Sequence, residues 1–249
     1  MHAFDLTGKT AVVTGARRGI GLGIATALAE AGADIIAASS NQEEGGGAVG
    51  AAVRGHGRRF EGHAVDFTDR SALADFGKQV GHADILVNNA GTIRRADAAE
   101  HPIEWWDEVL QVNLTSQFLL SQIIGAQMLE RGQGRIIFTA SLLSFQGGIR
   151  VPGYAAAKSG VAGLVHALSN EWSAAGVTVN GIAPGYIATD NTQALRDDDE
   201  RSQAILDRIP AGRWGTPADL GGAAVFLASS AASYVTGVIL PVDGGWLAR

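Results

Sequence analysis

Tyr154 and Lys158 stand four residues apart in "VPGYAAAKSG", and Ser141 precedes the tyrosine by thirteen positions. Residues at i and i+4 of a helix share a face, so that spacing puts a phenol beside an ammonium. A free phenol has a pKa of ~10, too high for acid–base work near neutrality. A lysine charge ~5 Å away, at an effective dielectric of ~20, contributes ~3 kcal/mol and lowers the phenol pKa by about two. The phenol then gives and takes protons, and the Ser141 hydroxyl, at a strand end, reaches the same reacting oxygen. Asn113 lies within the apolar helical run "WWDEVLQVNLTSQFLLSQ", where an amide is costly unless satisfied. It either holds a water that passes protons to Lys158 or is a helix-packing amide.

A second group of residues suits phosphates. "TGARRGIG" (14–21) follows an apolar run and opens a helical one. Gly15 permits a tight turn, Gly19 lets the backbone approach a pyrophosphate, and Gly21 lets helix and sheet pack closely. A helix N-terminus there supplies free N–H groups and partial positive charge. "NNAG" (88–91), with Asn89, Ala90 and Gly91, ends another apolar run; its asparagines can stitch strand ends together. Asp66 is placed either to accept from an adenine amino group or to serve as a helix cap or turn residue. Where an acid would hold the ribose 2′-hydroxyl of NAD(H), the chain has Ser39, Ser40 and Asn41. With Arg17 and Arg18 in the glycine turn, this chemistry leans toward NADP(H).

These residues need a scaffold that brings strand ends together. Apolar runs at 10–15, 34–39, 58–66, 83–91, 134–141, 177–185 and 237–245 read as seven strands. Helical patterns fill 19–32, 42–54, 69–80, 103–131, 153–175 and 217–229. Near-continuous apolar strands alternating with helices predict a parallel sheet covered on both faces by right-handed crossovers. The expectation is one doubly wound α/β domain over 1–249, of Rossmann type. The charged segment 187–213 interrupts the rhythm; "RDDDER" within it reads as a solvated helix face, and the whole as a lid over the carboxyl ends of the strands.

The totals narrow the function. The 249 residues carry a net charge of −6, which argues against a nucleic-acid partner. There is no cysteine, so no disulfide or zinc–thiolate site is available, in keeping with a reducing, cytoplasmic setting. The first residues lack a signal-peptide pattern and no apolar run approaches a membrane span, so no membrane partner is expected. The six histidines are scattered and no metal site is expected. Arg150 sits four residues before Tyr154, and Arg94 and Arg95 follow "NNAGTI". Arginines at two strand ends would suit a carboxylate; the alternative is that they are surface or interface residues.

The combination of TGxxxGxG, NNAG, Asn113, Ser141, Tyr154-xxx-Lys158 and "PG" (184–185), ending in "DGGW", resembles the short-chain dehydrogenase/reductase family over the whole chain. The resemblance implies a seven-stranded Rossmann-type sheet, hydride exchange with a nicotinamide, and a homotetramer. It implies that Lys158 binds the nicotinamide ribose, that Ile187 and Thr189 hold the carboxamide, and that Ile20, Phe67, Pro184 and Gly185 complete the cofactor contacts. "NNAGTIRRADA", "NGIAPGYIATDNTQALR" and "ILDRIPAGRWGTPADL" look like a branch acting on deoxy sugar acids, generally with NAD(H). On that reading Arg94, Gln146, Arg150, Asn191, Gln193 and Trp214 are candidate substrate contacts. Rival readings are a reductase of carrier-bound 3-oxoacyl chains, a dehydrogenase of gluconate and a non-catalytic nucleotide sensor.

Overall fold

The computed structural model describes residues 3–249; residues 1 and 2 of the expected domain lie outside them. Seven strands, β1 (Thr10–Thr14), β2 (Asp34–Ser39), β3 (Phe60–Ala64), β4 (Ile85–Asn88), β5 (Gly134–Thr139), β6 (Val177–Pro184) and β7 (Ile239–Val242), form one sheet in the order β3-β2-β1-β4-β5-β6-β7. Every pairing is parallel. Successive side chains of β1 serve opposite faces. Ala11 and Val13 pack with Ile24 and Leu28 of α1 (Gly19–Glu30), Val49 and Val53 of α2 (Gly47–Gly55), and Ala224 and Leu227 of α9 (Gly221–Ala228). Val12 packs in the other core, with Leu73 and Phe76 of α3 (Arg70–Gln79) and with Leu120 of α5 (Ser116–Arg131). Val161 and Val165 of α6 (Pro152–Trp172) complete that face. Burial on both faces is why the strands read as unbroken apolar runs rather than alternating ones.

Several boundaries differ from expectation, β3, β4 and β7 being shorter at both ends, and three of the differences have a plain physical reason. Helix α2 starts at Gly47 rather than residue 42 because Gly46 and Gly47 both adopt a left-handed backbone (φ +83 and +51), which no right-handed helix from upstream continues through. Strand β5 stops at Thr139, two residues early, so Ser141 is free to cap the short turn Leu142–Ser144, accepting from the Leu143 N–H. The expected helix 103–131 is α4 (Ile103–Leu110) and α5 joined by a wider π-helical turn, Gln111–Thr115, with Asn113 at its centre. Such turns recur at functional sites.

The segment 187–213 folds as a short turn (Asp190–Thr192), then α7 (Gln193–Arg196) and α8 (Asp199–Arg208). Helix α8 is capped by Asp198, whose carboxylate accepts from the Arg201 N–H. Asp199 and Glu200 lie in its first turn, where the helix dipole favours negative charge. The acidic run is thus explained by helix initiation. Among the described residues no helix is long and apolar enough to cross a membrane.

Candidate active site

One cleft of about 600 Å³ opens at the carboxyl ends of β1, β2, β4 and β5. At one end it is lined by the glycine turn, and at the other by Tyr154 and Lys158. Between β1 and β4 the strand order reverses direction, the place where open α/β sheets bind ligands.

The floor is held by a stitch of short polar side chains. The Thr14 hydroxyl accepts from the N–H groups of Asn89 and Ala90, both at 2.9 Å, and donates to the Val87 carbonyl. Asn89 Nδ2 donates to the Thr14 carbonyl at 2.9 Å, while its Oδ1 accepts from the Thr139 hydroxyl. One amide thereby ties three strand ends. Asn88 points elsewhere, donating to Ser121 on α5. Gln117 donates to the Ala90 carbonyl at 3.0 Å from full burial.

The glycine turn fits a dinucleotide. A Cβ on Gly21 would meet the Gly15 carbonyl oxygen at 2.2 Å, so only glycine lets α1 start this close to the turn. Gly19 has φ +56 and no backbone atom in the path of a Cβ. Helix α1 begins with no side-chain cap and no acidic residue in its first turn, which leaves its N–H groups and positive end to the cleft. Arg17, Arg18, Ile20, Ser39, Ser40, Asp66, Phe67, Ala90, Gly91 and Thr189 also line it. Asp66 closes a local turn, accepting from the N–H and hydroxyl of Thr68, and those bonds lower its pKa. The cap of α3 is Asp69 instead. Pro184, Gly185 and Ile187 do not line the cleft. Gly185 is pressed against Asp243, and Ile187 is buried with its carbonyl accepting from Thr192 at 2.7 Å. The side chain of Ile187 therefore belongs to the core.

At the other end, Tyr154 and Lys158 lie in the first turns of α6, which opens with Pro152 at a position where its missing N–H costs nothing. Lys158 Nζ donates to the Thr139 carbonyl at 2.6 Å and lies 5.5 Å from the centre of the Tyr154 ring. Burial lowers the lysine pKa to about 8. The expectation that Lys158 pulls the phenol below its ordinary value is corrected. Burial raises the Tyr154 pKa, and the hydrogen bond from Ser141 and the charge of Arg95 oppose that rise only in part. Desolvation of the half-buried ring and the buried ammonium penalises the charged form of each.

Asn113 is buried: Nδ2 donates to the carbonyls of Thr92 and Val109, each at 2.8 Å, and Oδ1 accepts from the Thr92 N–H. Its side chain is a strut between the widened turn and the loop after β4. Both amide hydrogens are used in this way, while Oδ1, with one bond, keeps a second acceptor position.

The expected substrate contacts divide. Asn191 lines the cleft. Arg94 does not: it forms a two-pronged pair with Glu108, at 2.8 and 2.9 Å, and lies over Trp105. Arg150, at φ +65, pairs with Asp97 outside the cleft. Gln193 is bound within its own helix to Asp197 and Arg196. Trp214 packs edge-on against Tyr186 in a satellite core, and Gln146 does not reach the cleft lining. The cation that does face the phenol is Arg95, the other member of the arginine pair. Glu108, Thr139, Thr92 and Asp190 are further lining residues. Arg95 was visible in sequence only as one of two adjacent arginines, and Asp190 carried no signal. Among the described residues no group of three His, Cys, Asp or Glu is placed to hold a metal.

A sheet of this order, a phosphate turn at its switch point and a Tyr–Lys pair in the same cleft define a Rossmann-type oxidoreductase of the nicotinamide-dependent class. A family model described as Enoyl-(Acyl carrier protein) reductase matches residues 15–247, and the chain belongs to the short-chain dehydrogenase/reductase family. It is similar to the 2-dehydro-3-deoxy-D-gluconate 5-dehydrogenases of Pseudoalteromonas atlantica, 62% identical over 100% of both chains, and Bacillus subtilis, 54% identical over 99% of this chain and 98% of the relative. A solved structure from Agrobacterium tumefaciens with bound NADP, provisionally described as a 2-deoxy-D-gluconate 3-dehydrogenase, superposes with a TM-score of 0.95 at 52% identity over 100% of both chains.

Proposed function

We propose that this enzyme interconverts a secondary alcohol and a ketone of a deoxy sugar acid, as a 2-dehydro-3-deoxy-D-gluconate 5-dehydrogenase or a 2-deoxy-D-gluconate 3-dehydrogenase does, using NADP(H) or NAD(H). The observation that carries the reading is Tyr154 with the buried Lys158 ammonium 5.5 Å from its ring centre, in the same cleft as an uncapped helix start. The full-length relatives named above support the substrate class.

A bound nicotinamide would supply or accept the hydride. The chain's own residues manage the proton and the charge. Tyr154, a phenol and so protonated at neutral pH, donates its proton to the substrate oxygen in reduction and receives it in oxidation. Ser141 hydrogen-bonds the same oxygen as charge grows on it. Lys158, anchored by Thr139, presents a positive charge beneath the phenol and a donor toward the ribose hydroxyls. Gly19 and the N–H groups at the start of α1 would hold the pyrophosphate. Ser39, Ser40 and Asn41 border the adenosine ribose without an acid, which admits a 2′-phosphate. Arg95, on the Tyr154 side, anchors the sugar-acid carboxylate. The segment 187–213, based at Thr189, acts as the substrate lid of a single domain. The protein works in the cytoplasm as a homotetramer, which would cover apolar side chains such as Ile103 and Phe118 on α4 and α5.

The test is a panel of sugar acids and an acetoacetyl thioester, each assayed with both dinucleotides, on wild type and Tyr154→Phe. Turnover of deoxy-ketogluconates, at least 10³-fold lower in the variant with dinucleotide affinity unchanged, is the expected result, a loss at the upper end for a general acid. Preference for the thioester, or a variant with wild-type rates, refutes the reading.

A further inference from the structure

The Arg18 guanidinium reaches over the cleft mouth to the carboxylate of Asp190, joining the phosphate turn to the base of the 187–213 segment. The two residues are 172 positions apart in the chain. Both ends of the pair are held in place. Arg18 is the extended residue (φ −154) immediately before α1. Asp190 opens the short turn that Thr189 and Thr192 fix by a reciprocal capping box. The turn and the segment also approach at Gly19, where a Cβ would lie 3.5 Å from the Thr189 methyl.

The guanidinium has two places to go. Toward the segment it meets Asp190. Toward β2 the same cleft is lined by Ser39, Ser40 and Asn41, with no acid among the three. Ser39 already abuts the turn, its hydroxyl accepting from the Arg17 N–H at 3.3 Å.

We propose that Asp190 is a specificity-determining residue for the dinucleotide, acting as an internal competitor for Arg18. The inference rests on the dinucleotide reading given above. A 2′-phosphate, carrying nearly two negative charges, draws Arg18 off Asp190; a ribose 2′-hydroxyl, being neutral, does not. The pyrophosphate is common to both dinucleotides and cancels in their ratio. The carboxylate thus taxes 2′-phosphorylated dinucleotides alone and holds down a preference that Arg18 would otherwise confer. Side-chain exposures of 62% and 71% make the pair weak and salt-sensitive, so the tax is small and easily lifted.

The test measures dissociation constants of NADPH and NADH on the full chain by nicotinamide fluorescence, for wild type, Asp190→Asn, Asp190→Glu and Asp190→Asn/Arg18→Gln. Asp190→Asn is expected to tighten NADPH by ~2–5-fold, the range of an exposed ion pair, and to leave NADH within error. Asp190→Glu should restore the wild-type ratio, and the double variant should lose the gain. The difference should shrink in high salt. An Asp190→Asn protein whose NADPH-to-NADH ratio is unchanged, or whose two constants move together, overturns the proposal. If neither dinucleotide binds wild type, the dinucleotide reading itself fails, an outcome distinct from an unchanged ratio.

Discussion

Lys158 offers a direct measure of what the site costs the fold. The residue is 2% exposed, and its pKa falls from 10.5 to about 8 through burial. That displacement corresponds to ~3 kcal/mol against the charged form. Because the folded-state value lies below the unfolded one, the unfolded chain binds more protons between pH 8 and 10.5. Stability therefore rises with pH across that window, and the penalty is at its full size below pH 8. Lys158→Met keeps the length of the stem and removes the titrating group. Urea unfolding of the dinucleotide-free proteins at a series of pH values gives the difference between wild type and variant, in which other titrations cancel. Wild type should gain about 2.5 kcal/mol on the variant between pH 7 and pH 10. A constant offset, from the lost bond to the Thr139 carbonyl, does not affect the slope. A difference flat to ~0.5 kcal/mol over that range refutes the claim that a charged lysine is held there against desolvation.

The arginine pair makes a second test. Arg95→Ala should raise KM for the sugar acid by ~10–100-fold, as for a lost charge-assisted hydrogen bond, and leave a neutral analogue without the carboxylate nearly unaffected. Arg94→Ala, which breaks only the Glu108 pair, should change the same KM by less than ~3-fold; equal effects of the two would refute the assignment of Arg95. Gly21→Ala drives a methyl into the Gly15 carbonyl, and the overpacking should cost ~1–3 kcal/mol in urea and weaken both dinucleotides in parallel. Wild-type affinity and stability in that variant would show that the turn is not closed as described.

Much of the fold was legible because strand and helix periods differ, and a sheet buried on both faces writes unbroken apolar runs such as "TAVVT". The same local signals located the glycine turn, the tyrosine and the lysine, since each belongs to a motif of a few consecutive residues. What failed to show depended on partners far away in the chain. Arg94 and Arg95 are equivalent by type and position, and only Glu108 on α4 decides that Arg94 is spent while Arg95 faces the cleft. The same holds for Arg150 against Asp97. Asn113 reads in sequence as a relay or a strut, and its bonds to Thr92 and Val109 come into view only with the tertiary structure.

By itself, then, the sequence determined the class of sheet and marked the glycine turn and the Tyr154–Lys158 pair, because those follow from spacing along one helix or one strand-to-helix turn. The tertiary structure alone decided the sign of the Tyr154 pKa shift, which arginine confronts the phenol, and that Asp190 lies against Arg18. Desolvation and ion pairing are set by neighbours in space, and the Arg18–Asp190 pair joins residues 172 positions apart, beyond the reach of any local pattern.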